Sequence, residues 1–159
     1  MAHVYIALGA NLADPLSTLK QAVQTLQQHP ELHHFKVSSF YRSKPMGPQD
    51  QPDYVNAVAE FHTALAPLTL LDELQAIEQQ YGRQRLRHWG PRTLDLDLLL
   101  YDHQQIQEPR LTVPHPGIAE RDFVVVPLAE LAPQLQLPDG RSISTLLTTM
   151  IDHDLIKIT

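Results

Sequence analysis

Asp95 and Asp97 close a run that begins with a histidine, a tryptophan and a Gly-Pro turn bearing an arginine: His88-Trp89-Gly90-Pro91-Arg92-Thr93-Leu94-Asp95-Leu96-Asp97-Leu98-Leu99. Thr93 to Tyr101 is apolar and of strand length, and side chains at i and i+2 of a strand share a face at roughly 3.3 Å rise per residue, so the two carboxylates project together. Aspartate is depleted in strands, and two on one face repel each other unless a cation lies between them. A hard, oxygen-seeking ion such as Mg²⁺ suits that pair. Arg83, Arg85, Arg87 and Arg92 crowd just upstream, half of the arginines in the chain. Arginine forks take phosphate oxygens two at a time while Mg²⁺ bridges the same phosphates, so the combination points to a polyphosphate such as ATP. Taken alone, the arginines read more readily as a solvated loop.

The elements that must carry these groups follow from periodicity. His3 to Leu8 alternates as a first strand. Asp14 caps a helix with Pro15 at its first position and Leu16, Leu19, Val23 and Leu26 facing inward. Phe35 to Arg42 reads as a second strand and Tyr54 to Phe61 as a third, joined by a proline-rich loop from Ser43 to Asp53. Pro67 opens a second helix with Leu70, Leu71, Leu74, Ile77 and Tyr81 inward, Gln75 and Glu78 on a neighbouring face, and Gly82 as its stop. With the aspartate strand the order is βαββαβ, the split arrangement of ferredoxin-like folds in the α+β class. A C-terminal extension follows: a short strand Arg110 to Val113, a stiff turn Pro114 to Gly117, a short helix Pro127 to Leu131, a turn at Pro138-Asp139-Gly140 and a last helix from Ser142 to Met150.

Composition narrows the function classes. The 159 residues suit one domain, 1–159, with a real core. A net charge of -6 offers no basic field for nucleic acid, so the arginine cluster must serve something local. Without cysteine there is no disulfide, iron-sulfur cluster or Cys-bound zinc, which fits the cytoplasm. No basic leader opens the chain, and no apolar run approaches the ~20 residues of a membrane span. His33-His34 lacks metal-ligand spacing and reads as surface.

Gly47-Pro-Gln-Asp-Gln-Pro-Asp-Tyr-Val-Asn56, the basic loop, the H-W-G-P-R-T-L-D-L-D-L-L run and Arg110-Leu-Thr-Val-Pro-His115 occur in the order seen in the 6-hydroxymethyl-7,8-dihydropterin pyrophosphokinase family, which the chain closely resembles over nearly its whole length. The resemblance implies a six-stranded, largely antiparallel sheet flanked by helices, two Mg²⁺ ions, ATP as co-substrate, and transfer of diphosphate to a pterin hydroxymethyl group in folate biosynthesis. It implies that Asp95 and Asp97 hold the metal, that Arg83 and Arg92 clamp the phosphates from a loop closing over ATP, and that Trp89 helps to seal it. Tyr54 and Phe123 would sandwich the pterin, Asn56 would read its edge, and Ser43, Lys44, Met46 and Gly47 would line the pocket. Gln75, Glu78, Arg85, Leu98, Arg110, Thr112, His115 and Arg121 fall at nucleotide positions. The partners would be these small molecules, with no nucleic acid or membrane, and the protein a monomer. Lys44 stands where relatives often have proline, Pro116 where some carry an aromatic, and His88 where others have a permanent cation.

From the residues alone, other readings stay open. Trp89 and Phe123 suit a core, Tyr54 and Asn56 a strand edge, His115 a satisfied turn and Glu78 a solvated helix face. Rival functions are a D-x-D phosphatase or two-metal nucleotidyl enzyme, and a non-catalytic ferredoxin-like binding domain. Leu99 in the place of the phosphatase threonine, the central position of the aspartates and the lack of a P-loop weigh against the enzymes. A carboxylate pair beside arginines weighs against a mere binding domain.

Overall fold

Strand β1 (Ala2–Ala10) alternates as predicted, yet both sets of side chains are buried or half-buried along most of it, because the sheet is covered on two sides. A computed structural model describes residues 1–11, 14–43, 53–81 and 94–158. After β1 come α1 (Pro15–Gln28), β2 (His33–Val37), β3 (Tyr41–Ser43), β4 (Tyr54–Thr63), α2 (Pro67–Gln80) and β5 (Asp95–Tyr101). The extension adds β6 (Ile106–Glu108), β7 (Leu111–Val113), α3 (Asp122–Leu131), α4 (Ile143–Thr149) and β8 (Ile156–Lys157). The main sheet has six strands in the order β5-β1-β4-β3-β8, with β2 also on β4, and every pair is antiparallel. This is the expected ferredoxin-like core with its extension.

Two helix layers bury the sheet. On one face Val4, Ile6, Leu8, Ala57, Ala59 and Phe61 pack with Leu19, Ala22 and Leu26 of α1 and Leu70, Leu74 and Ile77 of α2. Asp14 caps α1 by accepting from the Ser17 amide at 3.2 Å, and Pro15 and Pro67 start their helices where a missing N–H costs nothing. On the other face Tyr5, Val58, Leu99 and Leu100 meet Val124, Val125 and Leu128 of α3 and Ile143 and Leu146 of α4. Consecutive leucines share that face because β5 bulges. Tyr5 pairs with Leu100 and Ile6 with Leu98, which leaves Leu99 as the extra residue.

Three expectations need correction. The strand predicted from Phe35 to Arg42 is two strands, β2 and β3, both on β4. Serines divert the ladder between them: Ser38 Oγ, not a carbonyl, accepts from the Val58 amide at 3.0 Å, and the Ser39 amide goes to Glu130. Helix α3 begins at Asp122 rather than Pro127, which sits inside it. The proline forfeits one helical bond, and burial of Val124, Val125, Leu128 and Ala129 holds the helix regardless. β6, which pairs with β7 as a hairpin, and β8 were too short to register as patterns.

Candidate active site

The register aligns the polar groups at one end of the sheet. Tyr41 pairs with Asn56, Asn56 with Gly9, and Gly9 with Asp95. One rung away, Val58 pairs with Ala7 and Ala7 with Asp97, and on the other side Ser43 pairs with Tyr54. Paired residues share a face, so Asp95, Asp97, Tyr54, Asn56 and Ser43 all project from the face that α3 and α4 cover farther along, at Tyr5 and Val58. The two aspartates do share a face, and the Asp97 side chain is 46% exposed. Asn56 and Ser43 are buried, 6% and 7% exposed, and Ser43 Oγ donates to Asn56 Oδ1 at 2.7 Å. A Cβ at position 9 would stand 3.0 Å from Asn56 Nδ2, so the glycine in β1 makes room for that amide.

A cavity of about 330 Å³ flanks β5. Gln75 and Glu78 line it from α2, Asp97 and Leu98 from β5, Arg110 and Thr112 from the β6–β7 hairpin, and His115 and Pro116 from the turn beyond. Six of the predicted nucleotide positions are thus brought together beside an aspartate. Glu78 is only 5% exposed, and its Oε2 accepts from the Leu96 amide at 2.8 Å, so it fastens α2 to the start of β5 and is no solvated helix residue. Arg110 reaches back to Asp72 at 2.5 Å and Gln75 at 3.2 Å, which braces the hairpin against α2. The β5 bulge positions His115: the Leu99 carbonyl accepts from the His115 amide at 3.0 Å. His115 Nδ1 accepts from the Gly117 amide at 3.0 Å, leaving Nε2 to carry the proton, 4.0 Å from Asp97 Oδ2. Burial holds this imidazole below its ordinary range; the Asp97 charge opposes that shift and Arg121 adds to it. The histidine is satisfied by its turn on one side and open to the cavity on the other.

A second cavity, of about 470 Å³, is lined by Ser43, Phe123, Arg121 and neighbours, with a wall from the segment between Thr149 and Leu155. Phe123 is half-buried against the second core, and the Arg121 guanidinium lies 5.9 Å from the centre of its ring. Arg121, expected with the nucleotide, lines this cavity and stands at the N-cap position of α3, where its charge helps to hold the His115 imidazole down. A Cβ on Gly117 would meet Arg121 Nε at 2.5 Å. Sequence reasoning missed the Thr149–Leu155 wall, which carries no motif and is near the site only through the tertiary fold.

Among the described residues no group of three His, Asp or Glu side chains could hold a metal. Asp95 and Asp97 offer two carboxylates, which fits Mg²⁺, an ion commonly held by one or two carboxylates and completed by water and phosphate oxygens. Arg83, Arg85, Trp89, Arg92, Lys44, Met46, Gly47, Gly82 and His88 lie outside the described residues. No described helix is long and apolar enough to cross a membrane.

Comparison with known proteins bears on this geometry. The profile of the family described as 7,8-dihydro-6-hydroxymethylpterin-pyrophosphokinase matches residues 5–133. The 2-amino-4-hydroxy-6-hydroxymethyldihydropteridine pyrophosphokinase of Haemophilus influenzae is 54% identical over 158 residues, 99% of each chain. The protein of the same name from Pseudomonas aeruginosa is 54% identical over 145 residues, 91% of this chain and 90% of its own. That from Bacillus subtilis is 46% identical over 132 residues, 83% of this chain and 79% of its own. Among solved structures, wild-type HPPK-DHPS of Plasmodium falciparum with pteroate superposes with a TM-score of 0.75 over 95% of this chain at 12% identity. This chain spans 42% of that longer protein, and the likeness speaks to the fold alone.

Proposed function

The chain belongs to the 7,8-dihydro-6-hydroxymethylpterin-pyrophosphokinase family, and on that premise we propose how its residues divide the work. The protein transfers diphosphate from ATP to the hydroxymethyl group of 6-hydroxymethyl-7,8-dihydropterin, giving AMP and the pterin diphosphate, a step of folate biosynthesis. The hydroxymethyl oxygen forms a bond to the β-phosphorus, the bond from that phosphorus to the bridging oxygen of AMP breaks, and the hydroxyl proton leaves. Little covalent chemistry is asked of the protein in such transfers; positioning and charge stabilisation do most of it.

In this reading the cavity beside β5 takes ATP and the cavity at Ser43 and Phe123 takes the pterin. The division of the polar groups between two cavities at one sheet end, with Asp95 and Asp97 on the same face, carries it. Arg110, braced by Asp72 and Gln75, and the Nε2–H of His115 are donors for the nucleotide, with Thr112 beside them. Arg83, Arg85 and Arg92 would add forked donors, and Arg83 and Arg92 would balance charge developing toward AMP. Asn56, with its oxygen held by Ser43, offers an amide N–H₂ to the ring edge, while Tyr54 and Phe123 supply aromatic faces. Asp95 and Asp97 would hold two Mg²⁺ ions, which supply charge neutralisation and Lewis acidity at the phosphates when bound. One chain lines both cavities, which suits a monomer of one domain, and the lack of cysteine suits the cytoplasm.

The test is AMP formation from Mg-ATP with and without the reduced pterin alcohol. Release of AMP that depends on the alcohol is expected. Pterin-independent release of ADP or inorganic phosphate would overturn the reading in favour of a phosphatase.

A further inference from the structure

We infer that Glu130 is a positioning residue for the pterin cavity, holding two of its walls together without touching a ligand. The inference rests on the pterin assignment above. One wall is the end of β3, at Ser43; the other is the start of α3, at Arg121 to Phe123. Glu130 lies near the far end of α3 and joins these two elements through both carboxylate oxygens. Its Oε2 accepts from the Ser39 amide at 2.8 Å and from Ser39 Oγ at 3.0 Å, and its Oε1 accepts from Tyr41 Oη at 2.5 Å. Tyr41 starts β3, is paired with Asn56, and stands two residues before Ser43.

The geometry makes one clamp govern one gap. Along α3 the seven-residue step from Glu130 back to Phe123 covers roughly 10 Å, and the step from Tyr41 to Ser43 covers roughly 7 Å. From a common fixed point at Glu130, then, α3 leads back to one wall and β3 forward to the other. The clamp also falls at the break between β2 and β3, where the Ser39 amide has left the ladder. Burial pulls the Glu130 carboxyl up, but hydrogen bonds from Tyr41 and Ser39, with the charge of Lys157, hold it below its ordinary range, so the clamp is closed at neutral pH. Helix α3 stays folded without it, because Val124, Val125 and Leu128 remain in the core. What the clamp adds is the placement of α3 against β3. The nucleotide cavity is built from α2, β5, the β6–β7 hairpin and the turn at His115 and Pro116, and none of its lining residues bonds to Glu130.

Glu130→Gln keeps the volume but turns one oxygen into a donor facing donors. We expect it to raise the KM for the reduced pterin alcohol about tenfold, the scale of a lost hydrogen bond to a charged group, while the KM for ATP changes less than about twofold. Tyr41→Phe should give a smaller rise in the same direction, and the double variant should be no worse than Glu130→Gln, because both act through one joint. Unchanged pterin KM in Glu130→Gln, or equal rises for pterin and ATP, would overturn the inference; a drop in melting temperature alone would mark a merely structural role. Should Glu130→Gln fail to fold, Tyr41→Phe decides by the same comparison. Failure of the unsubstituted protein to form AMP would count against the pterin assignment itself and not against the clamp.

Discussion

At the scale of single residues, the chemistry turns on whether Asp97 is a ligand or a solvated side chain. Its carboxylate shares a strand face with Asp95, is about half exposed and stands 4.0 Å from the protonated nitrogen of His115. Nothing in the core depends on it. Asp97→Asn should therefore leave the unliganded protein as stable as before, or slightly more so through relief of repulsion from Asp95. Metal affinity should fall because an amide is a neutral, weaker ligand for a hard cation. AMP formation at saturating Mg-ATP and pterin should drop about a thousandfold, at about 1.4 kcal/mol per tenfold. Near-normal turnover would make the aspartates a bland strand face, and a collapsed melting temperature would make Asp97 structural. The pair was legible in the sequence because period two is local and aspartate is out of place in a strand. Glu78 was not. Helical spacing makes it look exposed, and the group that buries it, the Leu96 amide, is 18 residues away in the chain.

At the scale of elements, the strands do two different things at their two ends. The site end exposes carboxylates, whereas the opposite end of the same face gathers imidazoles. His3 pairs with His62 across β1 and β4 with rings stacked at 4.5 Å, and His34 beside β4 approaches His62 edge-on at 5.6 Å. His3 Nε2 lies 2.6 Å from Glu60, and His62 Nδ1 is buried without a partner among the described residues. Burial also pushes the neighbouring Tyr5 hydroxyl up to about 12, with Glu60 adding to the shift. For His62 the folded pKa is lowered, by burial first and then by His3 and His34, against the pull of Glu60. The unfolded chain thus binds the proton more tightly. Stability is full above the unfolded value near 6.5 and falls as the pH drops through and below it. We expect the melting temperature to decrease between about pH 7.5 and about pH 5.5, and His62→Phe, which keeps a ring in the stack, to flatten that slope. The same slope in the variant would assign the effect to other groups. Sequence alone gave no hint of this cluster, since His33-His34 looks like plain surface and His3 and His62 meet only through the register. The β5 bulge was equally hidden. A run of leucines satisfies either face, and only pairing with Tyr5 and Ile6 reveals that Leu99 is the extra residue that fixes His115.

At the scale of the whole molecule, both helix layers pack on the same sheet, so opening either face removes support from the other. A single cooperative unfolding transition is expected. Ligand linkage to that transition then tests the site as a unit. The chain carries a net charge of -6, and two carboxylates face the cavity end, so ATP without a cation meets repulsion from the nearby aspartates and from the protein at large. With Mg²⁺ the sign reverses locally, because the ion can join carboxylate and phosphate oxygens in one coordination shell. A non-hydrolysable ATP analogue should accordingly raise the melting temperature only when Mg²⁺ is present. At about 100 times the dissociation constant the stabilisation should be about 2.7 kcal/mol, which for a chain of this size is roughly 5 to 10 °C. Titration in a scanning calorimeter with Mg²⁺, and again with excess chelator, separates the outcomes. Equal stabilisation in both would mean that arginines and donors such as Arg110 and His115 bind the nucleotide by themselves and that the aspartate pair holds no metal. Stabilisation by Mg²⁺ alone, with no added effect of the analogue, would mean a cation site detached from any nucleotide.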